Sequence, residues 1–153
     1  MLINSSCKLW YHAINNNNWD ISSYDKLYDI NNNFDSMILK EMIHKNHLLN
    51  GMFFVMKDNI EPIWENDDNK NGGYLSYKIS NDIVIDIWNK LLFKTINNQL
   101  VLDESKYNGF SYTPKKKFGI FKIWFNDTID KDNIMKDIDI NLNINNALFK
   151  KYI

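Results

Sequence analysis

Apolar and polar residues alternate over several short stretches of this chain, and runs of asparagine break the pattern between them. Lys8 to Ala13 (KLWYHA) reads as a first strand and Tyr24 to Ile30 as a second. Ile38, Leu39, Met42 and Ile43 then recur at helical spacing, which predicts a helix from Asp35 or Ser36 as N-cap to about Lys45. Gly51 to Met56 and Ile60 to Trp64 are apolar enough for two central strands, separated by the polar turn Lys57-Asp58-Asn59 and bent at Pro62. YLSYKI, from Tyr74, alternates as another strand. The clearest helix is predicted from Ser80, as N-cap, to about Thr95, with Val84, Ile87, Trp88, Leu91 and Leu92 on one face and Trp88 in the core. Strand character returns in GFSYT, from Gly109, and in PKKKFGIFKIWF, from Pro114. Thr128 to Asp137 suits a short helix with Ile134 and Met135 inward, and Ile138 to Ile144 (IDINLNI) alternates as a final strand.

Composition narrows the class. A chain of 153 residues, 44% hydrophobic and 14% aromatic, supports one globular domain over 1–153. The lone Cys7 excludes an internal disulfide and most cysteine-based metal sites. No apolar run approaches membrane-spanning length, and MLINSSCKLW lacks the blocks of a signal peptide, so a cytoplasmic or nuclear protein with no membrane partner is expected. There are 25 Asn, 21 Ile and 18 Lys but no arginine, a bias expected of a genome rich in A and T, as in some protists and large DNA viruses. Any phosphate contact must therefore come from lysine, a point charge without the bidentate fork. With a net charge of -1, affinity for RNA has to be local rather than the effect of a basic field.

The candidate chemistry centres on Gly51 to Gly73, where Trp64 is followed at once by Glu65. An indole face stacks on a flat cationic base, and an adjacent carboxylate accepts hydrogen bonds from donors on the base edge. Trp19 follows four asparagines with no apolar periodicity, which leaves it either a loop anchor or a second stacking platform. Glu65, Asp67 and Asp68 read as solvated loop carboxylates or as a metal site, and no histidine lies nearby to favour the latter. Lys115, Lys116 and Lys117 are either a solvated strand end or an anion contact. Nucleophile elbow and phosphate-cradling glycine loop are both missing, and His12, His44 and His47 read as surface or helix-end residues without ligand spacing. The expectation is a binding protein, not an enzyme, with no cofactor and no metal.

The segment KDNIEPIWENDDNKNGG, Lys57 to Gly73, closely resembles the signature of the translation initiation factor 4E family, proteins that bind the 7-methylguanosine cap of messenger RNA. The resemblance is strongest over 7–125, and Trp10, Trp19, Trp64, Trp88 and Trp124 all fall where the family has a tryptophan. It implies an α+β fold, a curved antiparallel β-sheet with helices packed on its convex face. It further implies that Trp19 and Trp64 sandwich the cap base, that Glu65 reads the N1 and N2 hydrogens, and that Trp124 packs on the methyl group. Lys115 and Lys117 fall where relatives hold the cap phosphates. The family's third basic residue aligns with Ile120 and is lost, but strand alternation puts Lys122 on the same face as Trp124 as a replacement. Tyr74 and Leu75 replace an Arg-Trp pair of relatives.

The implied partners are capped mRNA and, on the dorsal helices, a scaffold like factor 4G. The family's dorsal tryptophan aligns with Leu39 and its acidic partner contact with Lys90, so a scaffold with an altered motif is expected, or none. Translation initiation in the cytoplasm, the host's if the chain is viral, is the function implied. A cap-binding repressor that recruits no scaffold is the alternative. A decapping hydrolase would need a glutamate-rich metal helix, which none of the predicted helices is.

Overall fold

The structure, a computed structural model, describes residues 2–136 and 147–152. Seven strands among them form one curved antiparallel sheet: β1 (Leu2–His12), β2 (Asp25–Asn32), β3 (Met52–Lys57), β4 (Gly73–Ser80), β5 (Tyr107–Pro114), β6 (Phe118–Phe125) and β7 (Leu148–Lys151), in the order β2-β1-β3-β5-β6-β4-β7. Helices α1 (Asn33–Met42), α2 (Lys45–Asn50) and α3 (Val84–Ile96) cover one face, the α+β arrangement expected.

Alternation divides the strand residues between two different environments. Leu9, Phe53, Val55, Leu75, Phe110 and Ile123 face the helices and join Leu39, Leu48, Ile87 and Leu91 in the main core. Trp88 anchors that core, with edge-to-face contacts to Phe53 (6.2 Å, 73°) and Phe110 (5.1 Å, 67°). Phe54, Met56 and Trp124 point the other way and form a smaller cluster on the open face with Trp10, Tyr24, Met52 and Tyr152 packed around it. Between Tyr107 and Gly109 the β5–β6 register slips, and Gly109 takes φ +149° there. A Cβ on Gly109 would meet the Val55 carbonyl, so only glycine lets β5 bend against β3 at this point.

Several predicted boundaries move for identifiable reasons. Helix α1 starts at Asn33 because Asn32, not Asp35 or Ser36, caps it: the Asn32 Oδ1 accepts from Asp35 N at 2.8 Å, while the Asp35 carboxylate accepts from Asn31 N at 2.8 Å. Ser80 ends β4 and does not cap α3; its Oγ accepts from Asp82 N at 3.3 Å in a turn, and the helix begins at Val84. The expected strand Ile60–Trp64 is absent, its residues taken up by bends and turns. No helix forms over 128–136. Leu102 N donates to Ile134 O (2.7 Å) and Lys136 N to Leu100 O (3.0 Å), so this segment pairs with another instead, although Ile134 is buried as expected. The predicted strand over 138–144 lies outside the described residues. Beyond it, β7 adds an unforeseen strand to the edge of β4.

Removing the Trp88 indole should cost about 3–5 kcal/mol, the range for deleting a buried aromatic ring. Urea unfolding of Trp88→Ala would show it, and a loss under about 1 kcal/mol would contradict its place at the centre of the core.

Candidate functional site

The loop between β3 and β4 carries Trp64 and Glu65, and a fully buried asparagine holds it in shape. Asn69 Nδ2 donates to Glu61 O (2.9 Å) and Ile63 O (2.8 Å), the two carbonyls that flank Pro62. Its Oδ1 accepts from Asn108 Nδ2 at 2.8 Å, and Asn108 Nδ2 also donates to Asp68 O at 2.8 Å, which ties the loop to β5. Asn66 Nδ2 donates to Glu61 Oε1 (2.9 Å). These side-chain amides occupy carbonyls that a strand ladder would have used, which is why the apolar run 60–64 turns instead of extending. At the loop's end Gly72 lies so close to β6 that a Cβ there would overlap the Phe125 carbonyl.

Trp19 is delivered by a second loop whose asparagines fold it. Asn18 N donates to Asn16 Oδ1 (2.9 Å), Asp20 N to Asn18 Oδ1 (3.0 Å), and Ser23 Oγ to Asn18 O (2.7 Å), before one 3-10 turn at Ile21–Ser23. His12, fully buried at the end of β1, donates from Nε2 to Asn18 O at 2.7 Å. Its ring lies flat against Trp19, with centroids 4.3 Å apart and planes 9° apart. The expectation that His12 is a surface residue is therefore wrong: it is the plate on which Trp19 rests. His44 and His47 do sit at a helix end, His44 N donating to His47 Nδ1 at 3.0 Å.

Both loops lean over the open face of the sheet and enclose one cavity of about 490 Å³. Trp19, Trp64, Glu65, Trp124, Tyr74 and Tyr152 are among its walls. Trp19 and Trp64 are 48% and 47% exposed, which marks them as walls of an opening, whereas Trp124 at 6% forms the floor. The Trp124 indole is fixed by donation from Nε1 to Ser111 Oγ (3.0 Å) and by packing on Phe54 (6.1 Å, 81°). Burial pushes the Tyr24 hydroxyl up to about 12, and the Glu65 carboxylate, which lines the same cavity, adds to the shift.

A second recess of about 520 Å³ adjoins the first along Trp19, Met52, Tyr74 and Lys122. Lys115, Lys122 and Lys150 line it. Lys122 lies 4.5 Å from the Tyr74 ring centroid. Burial, then the charges of Lys115 and Lys150, hold its ammonium below the usual lysine range.

Of the residues singled out from sequence, Trp19, Trp64, Glu65, Trp124 and Lys122 meet in one cavity, and Lys115 lines the adjoining recess. Lys117 lines neither. It sits exposed at the tip of the β5–β6 turn, which Lys115 N closes by donating to Phe118 O at 2.8 Å. Leu39, expected on the partner side, is 2% exposed and belongs to the main core, because α1 turns that face onto the sheet. Met37, 63% exposed, presents the apolar surface of α1 instead. Lys90 lies on the outward side of α3, paired with Asp86 at 3.3 Å, and borders a groove with Met37, Lys40 and Phe93. Sequence reasoning missed His12, Tyr24, Tyr152 and Lys150. The alternation Trp10, His12 in KLWYHA was a usable signal for the first; the others depend on pairings distant in the chain.

The site is thus an open-faced sheet backed by helices, with an aromatic cleft and one carboxylate on its free side. The chain belongs to the family described as Eukaryotic initiation factor 4E, whose sequence model matches residues 3–152. Solved structures agree on the fold. Ascaris suum eIF4E-3, in complex with an m7G cap, superposes with a TM-score of 0.75 at 18% identity, over 86% of this chain and 76% of that one. C. elegans eIF4E-3, in complex with the 4E-binding protein Mextli and a cap analog, gives 0.74 at 18% identity, over 82% and 74%. The A. suum protein has also been solved with an m2,2,7G cap, at the same TM-score of 0.75.

The Asn69 clasp makes a direct prediction. Asn69→Ala should lower stability by about 1–3 kcal/mol, the cost of leaving its buried partners unpaired, and should open 58–72 to proteolysis before the rest of the chain. A variant as stable and as protease-resistant as the parent would show that the loop is held by something else.

Proposed function

We propose that this protein binds the 5′ 7-methylguanosine cap of mRNA in translation initiation, with the base stacked between Trp19 and Trp64 and its edge read by Glu65. The observation that supports it is that two half-exposed indoles from separate loops and one exposed carboxylate line a single cavity. Methylation at N7 gives guanine a delocalised positive charge, which an indole face attracts by about 0.5–2 kcal/mol, on top of about 1–3 kcal/mol for stacking. Glu65 accepts from N1 and N2, charge-assisted bonds of about 1.5–3 kcal/mol each, and adenine offers no such pair of donors. A backbone N–H of Trp64 or Glu65 meets O6, and Trp124 packs against the methyl group. Lys115 and Lys122 hold the phosphate bridge, so that part of the affinity falls with salt. The work is binding rather than catalysis, carried out in the cytoplasm, the host's if the chain is viral.

A second reading, a cap-binding repressor that excludes the usual scaffold, draws on the helix face. Leu39 is buried, and the groove of Met37 and Phe93 is lined by three lysines, Lys40, Lys90 and Lys94, against one carboxylate, Asp86, a net positive rim that disfavours a basic partner motif.

Trp64→Ala and Glu65→Ala should each abolish retention on 7-methylguanosine resin; near-normal retention of either would remove the base-sandwich assignment. Changing Lys115 and Lys122 together to Ala should weaken binding of the full cap more than of the bare methylated nucleoside. Equal losses for both ligands would count against a phosphate role.

A further inference from the structure

The last described strand brings to the site a charge that the central motif does not contain. Residues of β7 pair with β4 as Tyr74↔Lys150 and Ser76↔Leu148. Cross-strand partners project on the same side of a sheet, and Tyr74 lines the base cavity, so Lys150 rises on the open face next to it. From the other side, β6 contributes Lys122, whose register partner on β4 is Ser76, and the β5–β6 turn contributes Lys115. Three ammonium groups thus border one recess, and no carboxylate is among the residues that line it. Among the described residues that line the recess, nothing offsets this local excess. The mutual repulsion is felt by Lys122, which is held below its ordinary range in part by Lys115 and Lys150. An arrangement of like charges that is costly when empty is relieved by an anion of several charges.

The strand is well anchored for the task. Tyr152, immediately after it, donates its backbone N–H to Gly72 O (3.2 Å) and packs on Tyr74 and Trp124, with centroids 5.6 Å away in both cases. Gly73 lets the two backbones approach, because a Cβ there would overlap the Lys150 carbonyl. Lys150 is therefore fixed at its backbone and free at its ammonium, which is exposed at the recess.

We propose that Lys150, supplied by the final strand, is a third cation for the phosphate chain that leaves the base cavity, beside Lys115 and Lys122 and in the place that Lys117, outside the recess, leaves open. The proposal rests on the cap-binding reading for the identity of the base, but the recess itself asks only for a linear polyphosphate. Its shared boundary with the base cavity at Trp19, Tyr74 and Lys122 lets one ligand fill both.

Tryptophan fluorescence titrations with three probes separate the two readings: 7-methylguanosine, 7-methyl-GTP and inorganic tripolyphosphate. Lys150→Ala should leave the nucleoside affinity unchanged, weaken 7-methyl-GTP by roughly fivefold or more, and reduce the slope of log affinity against log salt by about one. Lys150→Glu should weaken it further, and Lys150→Arg should restore it. Lys45→Ala on α2, an equal change of net charge at an exposed position outside both cavities, should have no effect. Binding of 7-methyl-GTP by Lys150→Ala within twofold of the parent, with an unchanged salt slope, would overturn the assignment. A parent protein that binds tripolyphosphate in a Lys150-dependent way but not the nucleoside would support the recess and sink the base reading instead.

Discussion

Everything on the open face depends on where the β3–β4 loop goes, and that is decided by one buried amide. Asn69 spends both donors on the carbonyls either side of Pro62 and its oxygen on Asn108, so a segment apolar enough to be a strand becomes a rigid lip. Burying a polar side chain is unfavourable unless every group is satisfied, and here the partners are backbone carbonyls that would otherwise lack them. The loop therefore has one low-energy path, and Trp64 and Glu65 arrive at the rim of the cavity without needing a ligand to order them. Preorganisation of this kind lowers the entropy lost on binding.

The same economy governs the opposite wall. Trp19 is half exposed in a loop rich in asparagine, conditions under which an indole would ordinarily be mobile. The flat contact with His12 and the Asx-type turns through Asn16 and Asn18 hold it instead. One face of the indole is committed to the protein, which leaves the other for a planar ligand. The floor, Trp124, is fixed by a hydrogen bond to Ser111, and the sheet that carries it is fixed in turn by the helix-facing core around Trp88. Strand alternation is what lets one sheet serve both purposes: the residues before and after each core position are the ones that build the site.

Much of this was legible in the chain. The strands with clean alternation, the helix carrying Trp88, and the adjacent Trp64 and Glu65 all follow from local pattern, because in each the same few residues set both the periodicity and the environment. What was not legible is long-range. The turn at 60–64 depends on an amide several residues on and another in β5; the strand β7 has only four residues and exists because β4 offers an edge. Lys150 joins the site through that pairing, so no spacing in the sequence announces it. Leu39 illustrates the converse: alignment put it at a partner surface, but packing of α1 on the sheet turns Leu39 into the main core and leaves Met37 outward.

The central claim is that the indoles respond to the charge that methylation places on the base. The most direct measurement is the affinity of the unaltered protein for 7-methyl-GTP against GTP at one fixed salt concentration, where the phosphate contribution is common to both. Two indole faces at about 0.5–2 kcal/mol each predict a preference of about fivefold or more for the methylated ligand. Equal affinity for the two would contradict the account, since the cavity would then be reading a purine or a polyphosphate rather than a cationic base.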